Sequence, residues 1–220
     1  MATHADSTPS LTELPSTYMH VLVSEFQKGD LAASNELFLL MQKRMQGMAR
    51  RMLRRYPRVG RWVQEEDIVQ EAMLRLLRAL RSIQPETMRS FYGLAAEQIR
   101  RELIDLTRKL FGPEGPGSNY ESHLYLNDSG QQASPPAEPI APSETLEELE
   151  RWNALHQAVE ELDLDLREVF SLTFYHGWGQ REIAELMQVD ERTVRRRWRR
   201  AVLQLSDRLG GQLPTDIHRL

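Results

Sequence analysis

At 220 residues the chain has room for one large domain or two small ones, and the absence of cysteine excludes disulfides, thiolate zinc sites and a cysteine nucleophile. Hydrophobic residues make up 40% of the chain, and no apolar run approaches the roughly 20 residues that span a bilayer, which excludes stable membrane insertion and implies a soluble protein. The net charge of -4 argues against a protein that simply coats nucleic acid.

That average conceals segregation. Of the 28 basic residues all but Lys28, Lys43 and Lys109 are arginine; residues 41–61 hold eight bases and no acid, while residues 112–150 hold eight acids and no base. The arginine fork suits phosphate and base edges, and an acidic stretch repels them. The histidines, at positions 4, 20, 123, 156, 176 and 218, show no metal-ligand spacing, so neither metal nor cofactor is expected.

Residues 1–17 read as a flexible lead-in without the basic and apolar segments of a secretory leader, which implies a cytoplasmic location. Tyr18, Val21, Leu22 and Phe26 then form an apolar ridge that stops near Gly29. Asp30 is placed to cap the next helix, along which Leu31, Leu37, Phe38, Met41, Met45, Met48, Met52 and Leu53 keep an apolar period until Pro57. The following helix runs from Glu65 or Glu66 to Leu80, with Ile68, Ala72, Leu76 and Leu80 inward. Its outer charges suit the helix dipole and equally suit a partner-docking surface.

Pro85 is placed in the first turn of a long helix on which Phe91, Ala95, Ile99, Leu103, Leu106 and Leu110 draw one stripe, and Arg100, Arg101, Arg108 and Lys109 a basic flank. That flank is either solvated or set for phosphate contact. The helix stops at Gly112 and Pro113. Residues 113–143, rich in proline, glycine and serine and devoid of lysine and arginine, read as a mobile acidic linker, with a short apolar cluster at Tyr120 and Leu124 to Leu126 as an alternative docking segment.

Helical periodicity returns with Leu146, Leu149, Trp152, Leu155, Val159 and Leu162, and again with Leu166, Val169, Phe170, Leu172 and Phe174. After Gly177 the chain reads as a helix-turn-helix. Ile183, Ala184 and Met187 share one face, Val189 lies in a turn, and Asp190 caps a second helix with Val194, Trp198, Ala201, Val202 and Leu205 inward. Six arginines, from Arg192 to Arg200, crowd nine residues of that helix, so several face solvent or a ligand. The register of Trp198 with Val194 and Ala201 assigns its ring to packing rather than to base stacking. Residues 211–220 form a tail with little pattern. The expected fold is therefore all-α, with two helical domains, 18–112 and 144–210, joined by a flexible acidic linker and ending in a helix-turn-helix.

With both halves in view the sequence resembles bacterial alternative sigma factors of the extracytoplasmic-function type, over residues 18–112 and 144–210. EEDIVQEAMLRLLRAL is similar to the family's polymerase-docking helix, and LREVFSLTFYHGWGQREIAELMQVDERTVRRRWRRAVLQL to its promoter-reading helix-turn-helix. The resemblance implies core RNA polymerase and promoter DNA as partners, with an anti-sigma factor as a further one. It assigns Asp67, Gln70, Glu71, Leu74 and Arg75 to the polymerase clamp. It assigns Arg100, Arg101, Asp105, Arg108 and Lys109 to promoter opening, and Arg192, Thr193, Arg195, Arg196 and Arg199 to the upstream element. The sequence departs from the family's pattern at Arg101, where asparagine is frequent, and at Gly179, where a capping serine or threonine is common. Two other readings of the chain are an autonomous helix-turn-helix regulator and an interaction protein with a vestigial DNA-binding module. No spacing assembles a nucleophile, base and oxyanion site, so an enzyme is not expected.

Overall fold

A computed structural model describes residues 16–112, 115, 146–214 and 217. The helices are α1 (Ser16–Gln27), α2 (Leu31–Arg55), the single turn α3 (Pro57–Gly60), α4 (Glu65–Leu80) and α5 (Met88–Phe111), followed by α6 (Leu146–Glu160), α7 (Leu164–Phe174), α8 (Gln180–Met187) and α9 (Glu191–Arg208). No strand occurs among the described residues. The expected linker, apart from Gly115, lies outside the described residues, as does the lead-in up to residue 15.

In the first half α2, α4 and α5 pack together, with α1 laid against α2. Asp30 caps α2 as expected, accepting from the Ala33 amide at 2.7 Å. Met41, Met45, Met48 and Met52 are fully buried, their unbranched chains filling the space between α2 and its neighbours. Three expectations are corrected. On α1 the buried ridge is Leu22, Val23 and Phe26, and Tyr18 and Val21 are exposed, because the helix is rotated toward α2. On α2, Leu31 and Phe38 face outward. Pro85 precedes α5, whose cap is Thr87: its hydroxyl accepts from the Ser90 amide at 3.1 Å, and the Ser90 hydroxyl accepts from the Thr87 amide at 3.0 Å.

In the second half α9 packs on α7 and α8, around Leu166, Val169, Phe170, Ile183, Val194, Ala201 and Leu205. The described part of the expected tail, residues 211–214 and 217, includes two core residues. Leu213 and Ile217 are both buried in the core, returning the chain to it beyond α9.

The two halves share one continuous apolar cluster, with α5 packed against α6, α7 and α8. The seam is polar as well as apolar. The Tyr56 hydroxyl meets His156 Nε2, and His156 Nδ1 lies 2.6 Å from the Tyr175 hydroxyl, all three side chains being buried. Arg51 donates to the Tyr175 carbonyl at 2.7 Å, and His176 Nε2 donates to the Tyr92 carbonyl at 2.9 Å. Arg44 lies over the rings of Tyr92 and Trp178, 5.3 and 4.5 Å from their centroids. Arg89 of α5 pairs with Glu168 of α7 at 2.5 Å. Partnered polar groups of this kind fix one register between packed elements, because any slide leaves them desolvated and unbonded.

Candidate nucleic-acid interface

The strongest concentration of exposed positive charge among the expected site residues lies on α9. Asp190 sets where that helix begins, its carboxylate accepting from the Thr193 amide at 2.8 Å and from the Thr193 hydroxyl at 3.1 Å. Those bonds, the amide one foremost, hold its pKa below the ordinary carboxylate value. Val194, Ala201 and Leu205 are buried and Trp198 stacks on Phe170, centroids 5.4 Å apart at 15°, which keeps the opposite face outward. Arg192, Arg195, Arg196 and Arg199 are accordingly exposed, as is Arg200. Arg197 is the exception, held by Asp165 of α7 at 2.5 Å. Thr193 is half-buried with its hydroxyl committed to Asp190, so it serves the cap.

The element in front of it is built for rigidity. Gln188 adopts a left-handed φ of 54° where α8 ends, which turns the chain from α8 toward α9 within three residues. At the other end of α8, Gly179 has no side chain to cap the helix; its own N–H instead donates to Glu182 at 2.8 Å.

On α4, Asp67, Gln70, Glu71 and Leu74 are exposed together on one face. Asp67 also accepts from the Gln64 amide at 3.3 Å, which closes the start of the helix. Beside this face runs a mainly apolar groove of about 330 Å³, walled by Val69, Met73, Leu74 and Leu77 of α4 and by Phe38 and Gln42 of α2. The outward turn of Phe38, 40% exposed, is explained by its place in this wall. Periodicity gave no sign of it, since an apolar residue adjoining the core stripe reads as core; the one available signal was that Leu37 and Phe38 cannot both point inward.

Arg75 is half-buried and spans to α5, bonded to Asp105 at 2.7 Å and 3.2 Å from Glu102. The expected clamp residue Arg75 and the expected promoter-opening residue Asp105 are thus each other's partners. Burial pushes the Glu102 carboxyl above its ordinary pKa, with Arg75 opposing.

Along α5, Arg108 and Lys109 are exposed, and Arg101 is exposed and paired with Glu97 one turn earlier at 2.5 Å. Arg100 departs from expectation. It is 3% exposed and its guanidinium bonds Glu160 at the end of α6 at 2.8 Å. In this arrangement it cannot reach a phosphate, because the second half covers it.

Among the described residues no helix is long and apolar enough to cross a membrane, and no group of three or more histidine, aspartate or glutamate side chains is placed to hold a metal ion. The surface therefore offers an arginine comb on a helix-turn-helix, an exposed polar face of α4 beside an apolar groove, and a partly covered basic helix. No curated protein matches the chain. The model of the ECF sigma factor family matches residues 17–209, which takes in every described helix but the first residue of α1, and the chain belongs to that family.

Proposed function

We propose that this protein is an alternative sigma factor that binds core RNA polymerase, directs it to a specific set of promoters and assists strand opening there. The observation that carries the reading is the coexistence on one chain of an exposed docking face, Asp67, Gln70, Glu71 and Leu74 beside the groove at Phe38, with a separate exposed comb at Arg192, Arg195, Arg196 and Arg199. The groove receives an apolar side chain of the polymerase clamp while the polar residues fix its register. The comb enters the major groove of the upstream element, where arginine forks pair with guanine O6 and N7 or hold phosphate.

Strand opening falls to α5. Arg101, Arg108 and Lys109 are available to the backbone of a separated strand, and cationic contacts of that kind help compensate the pairing and stacking lost on opening. Arg100 joins them only when it leaves Glu160, so opening requires the two halves to part. The protein itself performs no covalent chemistry. An anti-sigma factor that holds the halves together is a further proposed partner.

Purified core polymerase with and without the protein, supplied with a genomic promoter library, tests the reading through sequenced transcript starts. New starts that share upstream and start-proximal motifs are expected. Failure to bind core or redirect initiation, with binding to duplex DNA alone, identifies an autonomous regulator instead.

A further inference from the structure

The eight bases of residues 41–61, a stretch without an acid, belong neither to the comb of α9 nor to the flank of α5. Two of them are turned to the seam: Arg44 lies over Tyr92 and Trp178, and Arg51 donates to the Tyr175 carbonyl. Lys43, Gly47, Arg50 and Arg54 recur instead at steps of four, three and four residues, so they share one line along α2, and all four are exposed. Arg50 is paired with Glu65 at 2.9 Å, and Glu36, on the same line two turns before Lys43, accepts from Tyr18. Lys43 and Arg54 enter no ion pair among the described residues. The Arg54 charge is felt by its neighbour: after burial it lowers the Arg51 pKa, and no carboxylate offsets it.

Gly47 is the second observation. Glycine weakens a helix interior relative to alanine, and a Cβ here would meet no atom of the described residues within 4 Å, so packing within the chain does not require it. Between two cations, a point without a side chain lets an external backbone approach the helix closely. The third observation is position. The end of α2 abuts the turn that enters the helix-turn-helix, where a Cβ on Gly177 would collide with the Arg51 guanidinium. A cavity of about 370 Å³ between them is walled by Arg51 of α2, Gly177 and Gly179 ahead of α8, and Val194 and Trp198 of α9. In such motifs the second helix enters the major groove and the first crosses the backbone, so an element packed beside the start of α8 lies next to the phosphates that flank the groove.

We propose that the line through Lys43, Gly47 and Arg54 on α2 is a second contact for the backbone of duplex DNA, beside the major groove that α9 enters while the two halves are together. From Lys43 to Arg54 the helix covers about 16 Å, a length over which a duplex carries roughly ten phosphates. Charge alone also suits an acidic polypeptide. The straight, rigid row, the room left by Gly47 and the adjoining reading helix favour the duplex. The proposal rests on the reading of α9 as the helix that enters DNA, and not on polymerase binding.

The test is fluorescence anisotropy of the full chain with a labelled duplex of random sequence, about 30 base pairs long, across a salt series. Lys43→Gln combined with Arg54→Gln is expected to lower the salt slope by about two and the affinity by about tenfold or more. Gly47→Glu sets a carboxylate between the two cations. Glutamate is the better helix former, so the thermal midpoint of this variant is kept or raised while its duplex affinity falls about tenfold. A role confined to folding would move both in the same direction.

Unchanged affinity and slope in the double variant overturn the proposal, as does the absence of duplex binding by the parent chain. Higher affinity in the double variant overturns it too and assigns the stripe to an acidic polypeptide such as residues 112–150 of the same chain. Arg196→Gln tells the two readings apart. Loss of binding there, with none in the stripe variants, leaves the promoter reading of α9 standing without this one; loss in the stripe variants alone overturns the α9 reading and keeps α2 as a DNA contact.

Discussion

Arg100, midway along α5, and Glu160, the last residue of α6, meet across the seam at 2.8 Å, the guanidinium buried and the carboxylate half exposed. The pair ties a cation of α5, proposed above to join in strand opening, to the contact between the two halves, its members lying 60 residues apart in the chain.

Glu160→Gln leaves that buried cation without its counter-charge. Breaking a fully buried pair costs about 3–5 kcal/mol, and the half-exposed carboxylate reduces the effect here to about 1–2 kcal/mol. Urea unfolding is expected to show this loss as a lower midpoint. With polymerase present, the same variant is expected to open promoters faster, since Arg100 no longer needs to be released; permanganate footprinting of the melted region reads the rate.

The seam is also sensitive to acid. His156 and His176 are held neutral, with pKa values lowered to about 3, chiefly by burial and then by the Arg100 charge near His156 and the Arg44 charge near His176. In the unfolded chain each titrates near about 6.5, so as pH falls the unfolded state takes up protons first. Their stabilisation is full above that value and is lost progressively as pH falls from it toward about 3. At about pH 5 the loss amounts to roughly 2 kcal/mol per histidine. Urea midpoints measured at about pH 7.5 and about pH 5 are expected to differ accordingly, with His176→Gln reducing the difference by roughly half.

On α9 the arginines divide by environment. Neutralising Arg196 or Arg199, both exposed, is expected to leave stability within about 0.5 kcal/mol and to weaken promoter binding by the holoenzyme. Fluorescence anisotropy across a salt series separates their roles. A phosphate contact lowers the salt slope by about one counterion, and a base contact costs about 1–3 kcal/mol and relaxes preference at one position. Asp190→Ala instead loses about 1 kcal/mol of stability, because the Thr193 amide loses its acceptor.

At the groove, Phe38→Ala and Leu74→Ala are expected to behave alike. Each removes a partly exposed side chain from the same wall. Affinity for core polymerase, measured by competition against another sigma factor, is expected to fall by about tenfold or more with a change in folding stability under about 1 kcal/mol.

Much of this was readable from the sequence. The four methionines of α2, the inward face of α4 and the Asp190 cap follow from period and residue type, because they depend on neighbours three or four residues away. What escaped depends on partners far along the chain. Nothing near Arg100 indicates Glu160, and nothing near Arg75 indicates Asp105 on another helix. The exposure of Phe38 and the burial of Ile217 likewise depend on which helix lies opposite, a matter that a one-dimensional pattern does not encode. Gly179 was visible as a departure from the family, but the cavity it borders exists only once α2 is brought beside it.

The Tyr56 contact with His156 carries a cost in time. Tyr56 and its partner lie 100 residues apart, and a ribosome adding about 5–20 residues each second needs roughly 5–20 s to deliver the second after the first. Through that interval Tyr56 waits for His156, and Tyr92, once α5 has followed, waits for the rings of His176 and Trp178. During synthesis the first half is therefore expected to expose apolar surface that only the second half covers.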